Sequence, residues 1–361
     1  MSDPQLTSLP RHEVALVIAG SAYLGWTAVS IDRGIDSLVG SFSLELTSRE
    51  ATGAAEFPIA PGDACQIVLG GKVLITGYID RRSRSLSADN RSLRVSGRDK
   101  ACDLVDCSAL NKPGSWRNVS LAQIARELAA PFGVTIAVSG DSSKPIPRFA
   151  LQQGETAWAA IERLARYRGL IAFSDGAGGV KIGNPAIGHD SGARTGQIRE
   201  GNNLVSIEQE DDQSEQFSDY VVKGQASGND QHNGKAVAQI KGEARDAGVI
   251  RYRPLLIIGE EQSDKASLVK RAGWEAKVRK GRASTITAVV PGWFAGSGSA
   301  SGPVWEPGAQ ASCDVPSHGL SGDQLIERVR LIRDADGTRT ELTLVPPEAW
   351  AQLADAGALG S

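Results

Sequence analysis

The chain has 361 residues, a formal net charge of −3, and 41% hydrophobic and 22% charged residues; at about 100–200 residues per domain this predicts two or three domains. The charge excludes a dedicated nucleic-acid binder, which carries a basic excess or stripe. The longest apolar runs, such as 255–258, are far too short to cross a bilayer, and residues 1–13 lack the basic-then-apolar order of a secretory signal, so folding in a cytoplasm is expected.

Residues 13–97 alternate strand and turn signals. A short strand over 14–19 ends at Gly20-Ser21, and 26–33 and 42–46 alternate apolar and polar side chains, the mark of half-buried strands. Gly70-Gly71, between 66–69 and 72–75, is a two-residue hairpin signal. A long strand over 78–85, a polar turn at Ala88-Asp89-Asn90 and a return strand over 93–97 complete the series. About six such strands in about 85 residues predict a small barrel or sandwich.

The periodicity changes after Lys100. Ser120 is an N-cap, Leu121, Ile124 and Leu128 share one helical face, and Pro131 with Gly133 ends the run. A strand over 134–138 follows. A second helix over 156–168 carries Trp158, Ile161, Leu164 and Ala165 on its apolar face and stops at Gly169. A hairpin over 170–182 completes a mixed α/β module, and the Gly-, Ser- and charge-rich residues 186–201 predict a linker.

Strand patterns return at 204–210 and 217–223. The polar residues 226–248 predict a loop or weak hairpin, and the apolar run 255–258 follows. A third helix, capped by Ser263, runs to Lys280 and carries Lys265, Lys270, Arg271, Lys277, Arg279 and Lys280. Strands resume at 284–290, 309–315, 325–333 and 338–345, the last two joined at the hairpin signal Asp336-Gly337.

Two stretches share an order of elements. Residues 61–71 (PGDACQIVLGG) lead into 77–99 (GYIDRRSRSLSADNRSLRVSGRD), and residues 307–317 (PGAQASCDVPS) lead into 325–348 (LIERVRLIRDADGTRTELTLVPPE). In each, Pro-Gly precedes a strand with a cysteine, followed by a long basic strand, an Asp-containing turn and a return strand. Repeated supersecondary units keep turn chemistry while their surfaces diverge. The expected fold is mainly β with α/β insertions: two similar barrel domains, the second discontinuous, plus two smaller α/β modules. The expected boundaries are a tail over 1–12, a first barrel over 13–100, a mixed α/β domain over 101–190, a second barrel over 191–225 and 283–348, an inserted module with the basic helix over 226–282, and a tail over 349–361.

Residues capable of chemistry are present but scattered. His12, His189, His232 and His318 lie near the N-terminus or in loop contexts without a partner at helical spacing, and no GxSxG elbow or GxxxxGK[ST] loop occurs. The glycines of 296–302 (GSGSASG) do not open a helix, as a dinucleotide fingerprint must, because Pro303 and Pro307 follow. Asp334-Ala335-Asp336-Gly337 resembles the start of a calcium loop, but the twelfth position is Val345, so a hairpin turn is expected. Cys65, Cys102, Cys107 and Cys313 form no pair of zinc knuckles and are expected as buried reduced thiols. The acidic run Glu208, Glu210, Asp211, Asp212 and Glu215 is the one candidate for a carboxylate pair or metal site; Glu208, Glu210 and Asp212 share a strand face, and a solvated face is the plainer reading. Arg81, Arg82 and Arg84 form a basic strand without interleaved aromatics, expected as a polar barrel face or subunit contact. No catalytic, cofactor-binding or metal residue is assigned, and no enzyme activity or cofactor is expected.

Seven segments carry a resemblance when taken together: GWTAVSIDRGIDSLVGSFSLEL (25–46), TGYIDRR (76–82), VSGRDKACDLVDC (95–107), WRNVSLAQIARELAAPFGV (116–134), SDYVVKGQ (218–225), RYRPLLII (251–258) with the basic helix after it, and LVPPEAW (344–350). In order and spacing they resemble the baseplate hub proteins of Mu-like contractile-tailed phages, from Gly25 to Trp350. The resemblance implies a virion protein assembled in the host cytoplasm. It implies a homotrimer in which each subunit contributes two tube-type barrels to a pseudo-sixfold ring. Such a ring joins the sixfold tail tube to the threefold central spike protein, and DNA passes through its lumen without sequence-specific binding. A negative lumen would not trap phosphates, and Glu208, Glu210 and Asp212 are candidates to line it. The residues 296–305 (GSGSASGPVW) and the Ala/Gly-rich end 351–361 depart from the family pattern. Two other readings remain open at this point: the hub of a type VI secretion or other contractile injection device, and a cell-wall glycan hydrolase or binding component of a tail, supported by the acidic run alone.

Overall fold

A computed structural model of the chain describes residues 10–48, 58–87, 91–139, 145–146, 148–167, 170–183, 194–225, 240–262, 265–296 and 302–350. The expected turn at Ala88-Asp89-Asn90, the Gly169 stop, the Ser263 cap and most of both tails lie outside the described residues.

The first strands are β1 (Val14–Ile18), β2 (Ser21–Tyr23), β3 (Ala28–Gly34), β4 (Ser41–Ser48), β5 (Ala64–Leu69), β6 (Lys72–Leu86) and β7 (Arg91–Asp99). Next come α1 (Cys102–Asp106), β8 (Ser115–Trp116), β9 (Val119–Ser120), α2 (Leu121–Ala129), β10 (Thr135–Val138), β11 (Pro145–Ile146), β12 (Phe149–Ala150), α3 (Ala157–Tyr167), β13 (Ile171–Ser174) and β14 (Gly179–Gly183). The remainder holds β15 (Arg194–Arg199), β16 (Ser206–Asp211), β17 (Asp219–Gln225), β18 (Ile240–Arg245), β19 (Pro254–Gln262), α4 (Lys265–Arg282), β20 (Ser284–Pro291), β21 (Gln310–Val315), β22 (Leu320–Asp334) and β23 (Gly337–Val345).

Period-two patterning builds the sheet. On β3, Val29 and Ile31 are buried while the alternating Ser30 and Asp32 are only partly covered. Gly70 and Gly71 have φ of 59° and 77°, the paired positive values a two-residue turn needs, and they set the register Leu69↔Lys72. The strands predicted at 72–75 and 78–85 are one continuous β6, which bulges between Ile79 and Arg81 instead of breaking.

Thirteen strands form one sheet, ordered β16-β20-β23-β22-β3-β4-β7-β6-β5-β1-β2, with β21 also on β22 and β15 on β21. That order contains one array twice: β3-β4-β7-β6-β5-β1 and β16-β20-β23-β22-β21-β15. The copies share individual hydrogen bonds. The Gly62 amide donates to the Ile79 carbonyl at 2.7 Å, as the Gly308 amide does to Ile326 at 2.7 Å. The Thr27 amide donates to Glu45 at 2.8 Å, as that of Val205 does to Val289 at 2.8 Å. The arrays differ at their ends, where β1 lies antiparallel to β5 but β15 lies parallel to β21.

The arrays join edge to edge, β3 pairing with β22 from Arg328↔Gly34 to Arg333↔Val29. Because the outer edge of β3 is taken by the other array, the first array does not close on itself through β3. Two similar barrel domains were expected; among the described residues the two arrays share one sheet whose hydrogen-bonded path is open. One apolar core runs under both arrays, from Leu16, Ile31, Leu44 and Ile75 to Ile286, Ala311, Ile326, Leu342 and Trp305.

Residues 101–183 pack a second core around α2, α3 and the sheet β10-β14-β13. The Ser120 hydroxyl accepts from the Gln123 amide at 3.3 Å, the predicted cap, and Gly133 ends the turn at φ 63°. Asp99, at the end of β7, ties this core to the large sheet: its carboxylate accepts from the Ala101 amide at 2.8 Å and from Ser174 Oγ at 2.7 Å. Burial pushes the Asp99 carboxyl up from its ordinary value.

Three expectations change or sharpen here. Residues 194–199, expected within the linker, form β15, whose Ile198 is fully buried. Residues 240–245, in the segment expected as a loop or weak hairpin, form β18, antiparallel to β17. β17, expected in the second barrel, is the centre of a separate sheet β18-β17-β19. α4 covers that sheet, with Leu268 and Ala272 against Tyr220 and Val222. A Cβ on Gly242 would fall 2.1 Å from the Leu268 backbone, so the bare glycine is what lets helix and strand approach.

Candidate functional site

The long strands β6 and β22 carry the same local device. Each has Ile, an acid and Arg across a bulge: Ile79-Asp80-Arg81 in β6 and Ile326-Glu327-Arg328 in β22. A bulge turns the strand and re-aims the side chains after it. On β22 that stretch is covered by β3. Arg328 donates from Nη1 to Asp32 at 2.9 Å and from Nη2 to Asp36 at 2.6 Å. The Ile35 amide reaches the Glu327 carbonyl at 2.9 Å, and Trp350 Nε1 donates to Glu327 Oε1 at 3.0 Å. Burial, then the nearby Asp36, pushes the Glu327 carboxyl up.

On β6 the matching edge carries no strand among the described residues. Asp80 turns to Arg98 of β7 at 2.7 Å, and Arg98 continues to Asp106 of α1 at 2.8 Å. Arg81 and Arg84 are exposed, Arg82 is half-buried with its guanidinium on the Ile59 carbonyl, and Leu86 is 72% exposed. Among the described residues β16 is paired on one side only, with β20, as β2 is with β1 and β15 with β21.

The acidic run does not converge. Glu208, Glu210 and Asp211 stand along exposed β16, where Gln209 Nε2 donates to Asp211 at 3.3 Å. Asp212 closes a turn, accepting from the Ser214 hydroxyl and amide, both at 2.7 Å, which hold its carboxyl below the usual range. Glu215 points to α4, 2.8 Å from Arg279. The basic helix is partly neutralised: Arg271 and Arg279 flank Glu275 at 2.7 and 3.3 Å. A groove of about 950 Å³ separates α4 from α3 and the β3–β4 loop, lined among others by Asp36, Trp158, Trp274 and Arg282.

Other singled-out residues have structural partners. The Asp334 carboxylate takes Arg339 at 2.8 Å and the register Asp334↔Gly337 makes that segment a hairpin. His12 packs edge-on to Phe294; His189 and His232 lie outside the described residues. Sequence reading missed that Ser317 Oγ and His318 Nδ1 lie 2.9 Å apart with Glu200 nearby, but Glu200 accepts from the Ser317 amide on a short surface turn, the geometry of a turn brace and not of an oriented triad. Cys65, Cys102 and Cys313 are buried, and burial pushes each thiol up to about 12. Cys107, expected buried, is exposed, because it lies just past the end of α1.

Comparison with known proteins follows the same segments. Residues 13–99 match the family model "Mu phage baseplate assembly protein GpP-like, N-terminal", residues 101–184 match "Baseplate hub protein gp44-like, second domain", and residues 264–352 match "Mu phage baseplate assembly protein GpP, fourth domain". Baseplate hub protein gp44 of Escherichia phage Mu is 34% identical over 348 residues, covering 94% of this chain and 89% of that protein. The crystal structure of the 43 kDa tail protein of prophage MuSo2 from Shewanella oneidensis superposes with a TM-score of 0.79 at 30% identity, covering 94% of this chain and 99% of that one. The E. coli c3393 protein, described as a component of the type VI secretion system, shares the fold at TM-score 0.55 and 10% identity, covering 93% of this chain and 78% of its own.

Proposed function

The chain belongs to the family of baseplate hub proteins of Mu-like phages, and from that premise we propose that three copies form a ring joining a sixfold tail tube to a threefold central spike. The observation that carries this reading is the doubled strand array, joined edge to edge within one chain. Two arrays per chain in three chains give six similar units, which suits a sixfold partner on one side and a threefold partner on the other. In this reading each array is a tube-type domain: one over 13–100, the other over 194–211 and 284–345, with 101–190 as the mixed α/β domain and 212–283 as the inserted module. DNA passes through the hole during ejection without sequence-specific contacts, and Glu208 and Glu210, exposed on β16, keep that wall negative.

The chain acts as a structural part, in keeping with relatives named as baseplate hub and tail proteins. Negative-stain microscopy of the purified protein tests the ring: end-on views should show six similar lobes around a hole, and compact particles without a hole would contradict it. The likeness to a type VI secretion component supports a second reading, a hub in another contractile device. Co-purification with the spike and tube proteins encoded beside this chain separates the two.

A further inference from the structure

The sheet β18-β17-β19 holds an apolar strand that is covered on one side only. In β19 the odd positions Leu255 and Ile257 pack toward α4, beside Tyr220 and Val222. The even positions point the other way. Leu256 is 55% exposed and Ile258 72%. Tyr252, 82% exposed, continues the even series just before the strand, while Arg253 between lies over the Phe217 ring on the α4 side. A strand in parallel pairing that is apolar at odd and even positions alike has the pattern of one buried on both faces. Here one of those faces is open.

The outer edge of β19 is open as well. It pairs with β17 from Asp219↔Pro254 to Lys223↔Ile258, and no strand lies on its other side among the described residues. Charge, proline and bulges are the usual guards of a free edge. In β19 the proline is at the start, Pro254, and the bulge falls beyond Ile258, so residues 255–258 are left unguarded and without charge. The loop leading into the edge is held firmly. The Gly248 amide donates to Asp246 Oδ1 at 2.9 Å, the Arg253 amide donates to Ser218 Oγ at 2.8 Å, and the Ser218 amide donates back to the Arg253 carbonyl at 2.8 Å. Such bracing lowers the ordering cost of binding.

We propose that an extended segment of a different protein adds as a strand to the outer edge of β19, covering Tyr252, Leu256 and Ile258 with apolar side chains at alternate positions and presenting carboxylates to the cations around them. Strand addition of this kind takes its affinity from main-chain hydrogen bonds and its selectivity from alternate side chains. The charges set the sign of the partner. Lys223, beside Ile258, and Arg251, beside Tyr252, are exposed, whereas the Glu243 carboxylate is already taken by Lys241 at 2.7 Å. A lipid surface fits less well: it would cover the apolar side chains but leave the edge N–H and C=O groups of 255–258 without partners in hydrocarbon. Two β19 edges brought together would set Arg251 and Lys223 of each against those of the other. The contact uses neither strand array, so it stands apart from the ring reading.

Photo-cross-linking in assembled tail particles tests this. Tyr252→p-benzoylphenylalanine and Ile258→p-benzoylphenylalanine should each link a different protein on illumination. The linked peptide, identified by mass spectrometry, should alternate apolar residues and carry carboxylates. The same probe at Lys270, on the outer side of α4, should not link it. That peptide, made synthetically, should bind the purified chain and slow hydrogen exchange at 255–258. Leu256→Glu with Ile258→Glu should weaken the binding about tenfold or more, while the circular dichroism spectrum and the solution mass stay as in the wild type; Leu256→Met with Ile258→Val should keep it. A link to another copy of this chain, no link to any protein, or a peptide whose binding ignores the Glu pair overturns the proposal. So does flotation of the purified chain with phosphatidylglycerol vesicles that the Glu pair abolishes, which would make this a lipid-binding face. Because the peptide binds one chain at a time, a protein that binds it but forms no ring would overturn the ring reading alone.

Discussion

Residues 81–86 of β6 and residues 328–333 of β22 occupy the same place in two copies of one strand array, yet their surroundings differ throughout. On β22 the strand is covered: Arg328 meets Asp32 and Asp36, Leu331 is 1% exposed, and Glu327 is held by Trp350. On β6 the counterpart of Leu331 is Arg84, the counterpart of Val329 is Arg82, and the strand faces outward. The lesson is that a duplicated sheet diverges where its neighbours differ. The position that meets its own chain carries apolar residues on the core side; the position that no strand covers among the described residues carries charge.

The largest effect should separate the two edges. Leu331→Ala removes a buried side chain from the covered junction and should cost roughly 2–5 kcal/mol in denaturant unfolding. Arg84→Ala, at the matching position on β6, should leave the midpoint unchanged. Equal losses at both sites would break the comparison.

The ion pairs come next. Arg328→Ala should lower stability by about 1 kcal/mol, the size expected for half-exposed pairs in solvent. Arg81→Ala should not alter the unfolding of the single chain.

The turns before the bulges should behave alike, because there the copies have not diverged. Gly62 and Gly308 have φ of 92° and 82° and make the same hydrogen bond. Gly62→Ala and Gly308→Ala should each cost about 1 kcal/mol, as left-handed backbone positions do when a Cβ is added. Unequal costs would show that the shared topology hides different energetics.

The smallest effect is a pH slope. Burial raises the carboxyl of Glu327 above its unfolded value, so the folded state binds its proton more tightly. Stability therefore falls as pH rises from the ordinary carboxylate range through the raised folded value. Glu327→Gln, which can still accept from Trp350, should flatten that slope in pH-dependent melting curves.

Much of the array was legible in the sequence. Alternation located β3 and β4, and the paired glycines 70–71 and Asp336-Gly337 fixed two hairpins, because turn chemistry and strand period are local properties. The repeat of Pro-Gly, basic strand and Asp turn found the duplication. Sheet membership was not legible: β17 alternates like its neighbours, and only its partners β18 and β19 reveal that it belongs to another sheet. β15 hid within a Gly- and Ser-rich composition. The pairing of β3 with β22, some three hundred residues apart, has no local signal at all. The acidic run was visible as charge and was weighed as a site, but its meaning depends on an edge that sequence cannot display. The basic strand, expected as a polar barrel face or subunit contact, lies along the edge of β6 that no strand covers among the described residues.

The central claim is the proposed ring of three copies, each carrying the strand array twice. The most direct measurement is native mass spectrometry of the wild-type protein, backed by light scattering across concentrations. The account predicts a dominant species of three times the 38.0 kDa chain mass. A single species at one chain mass under all conditions would contradict it.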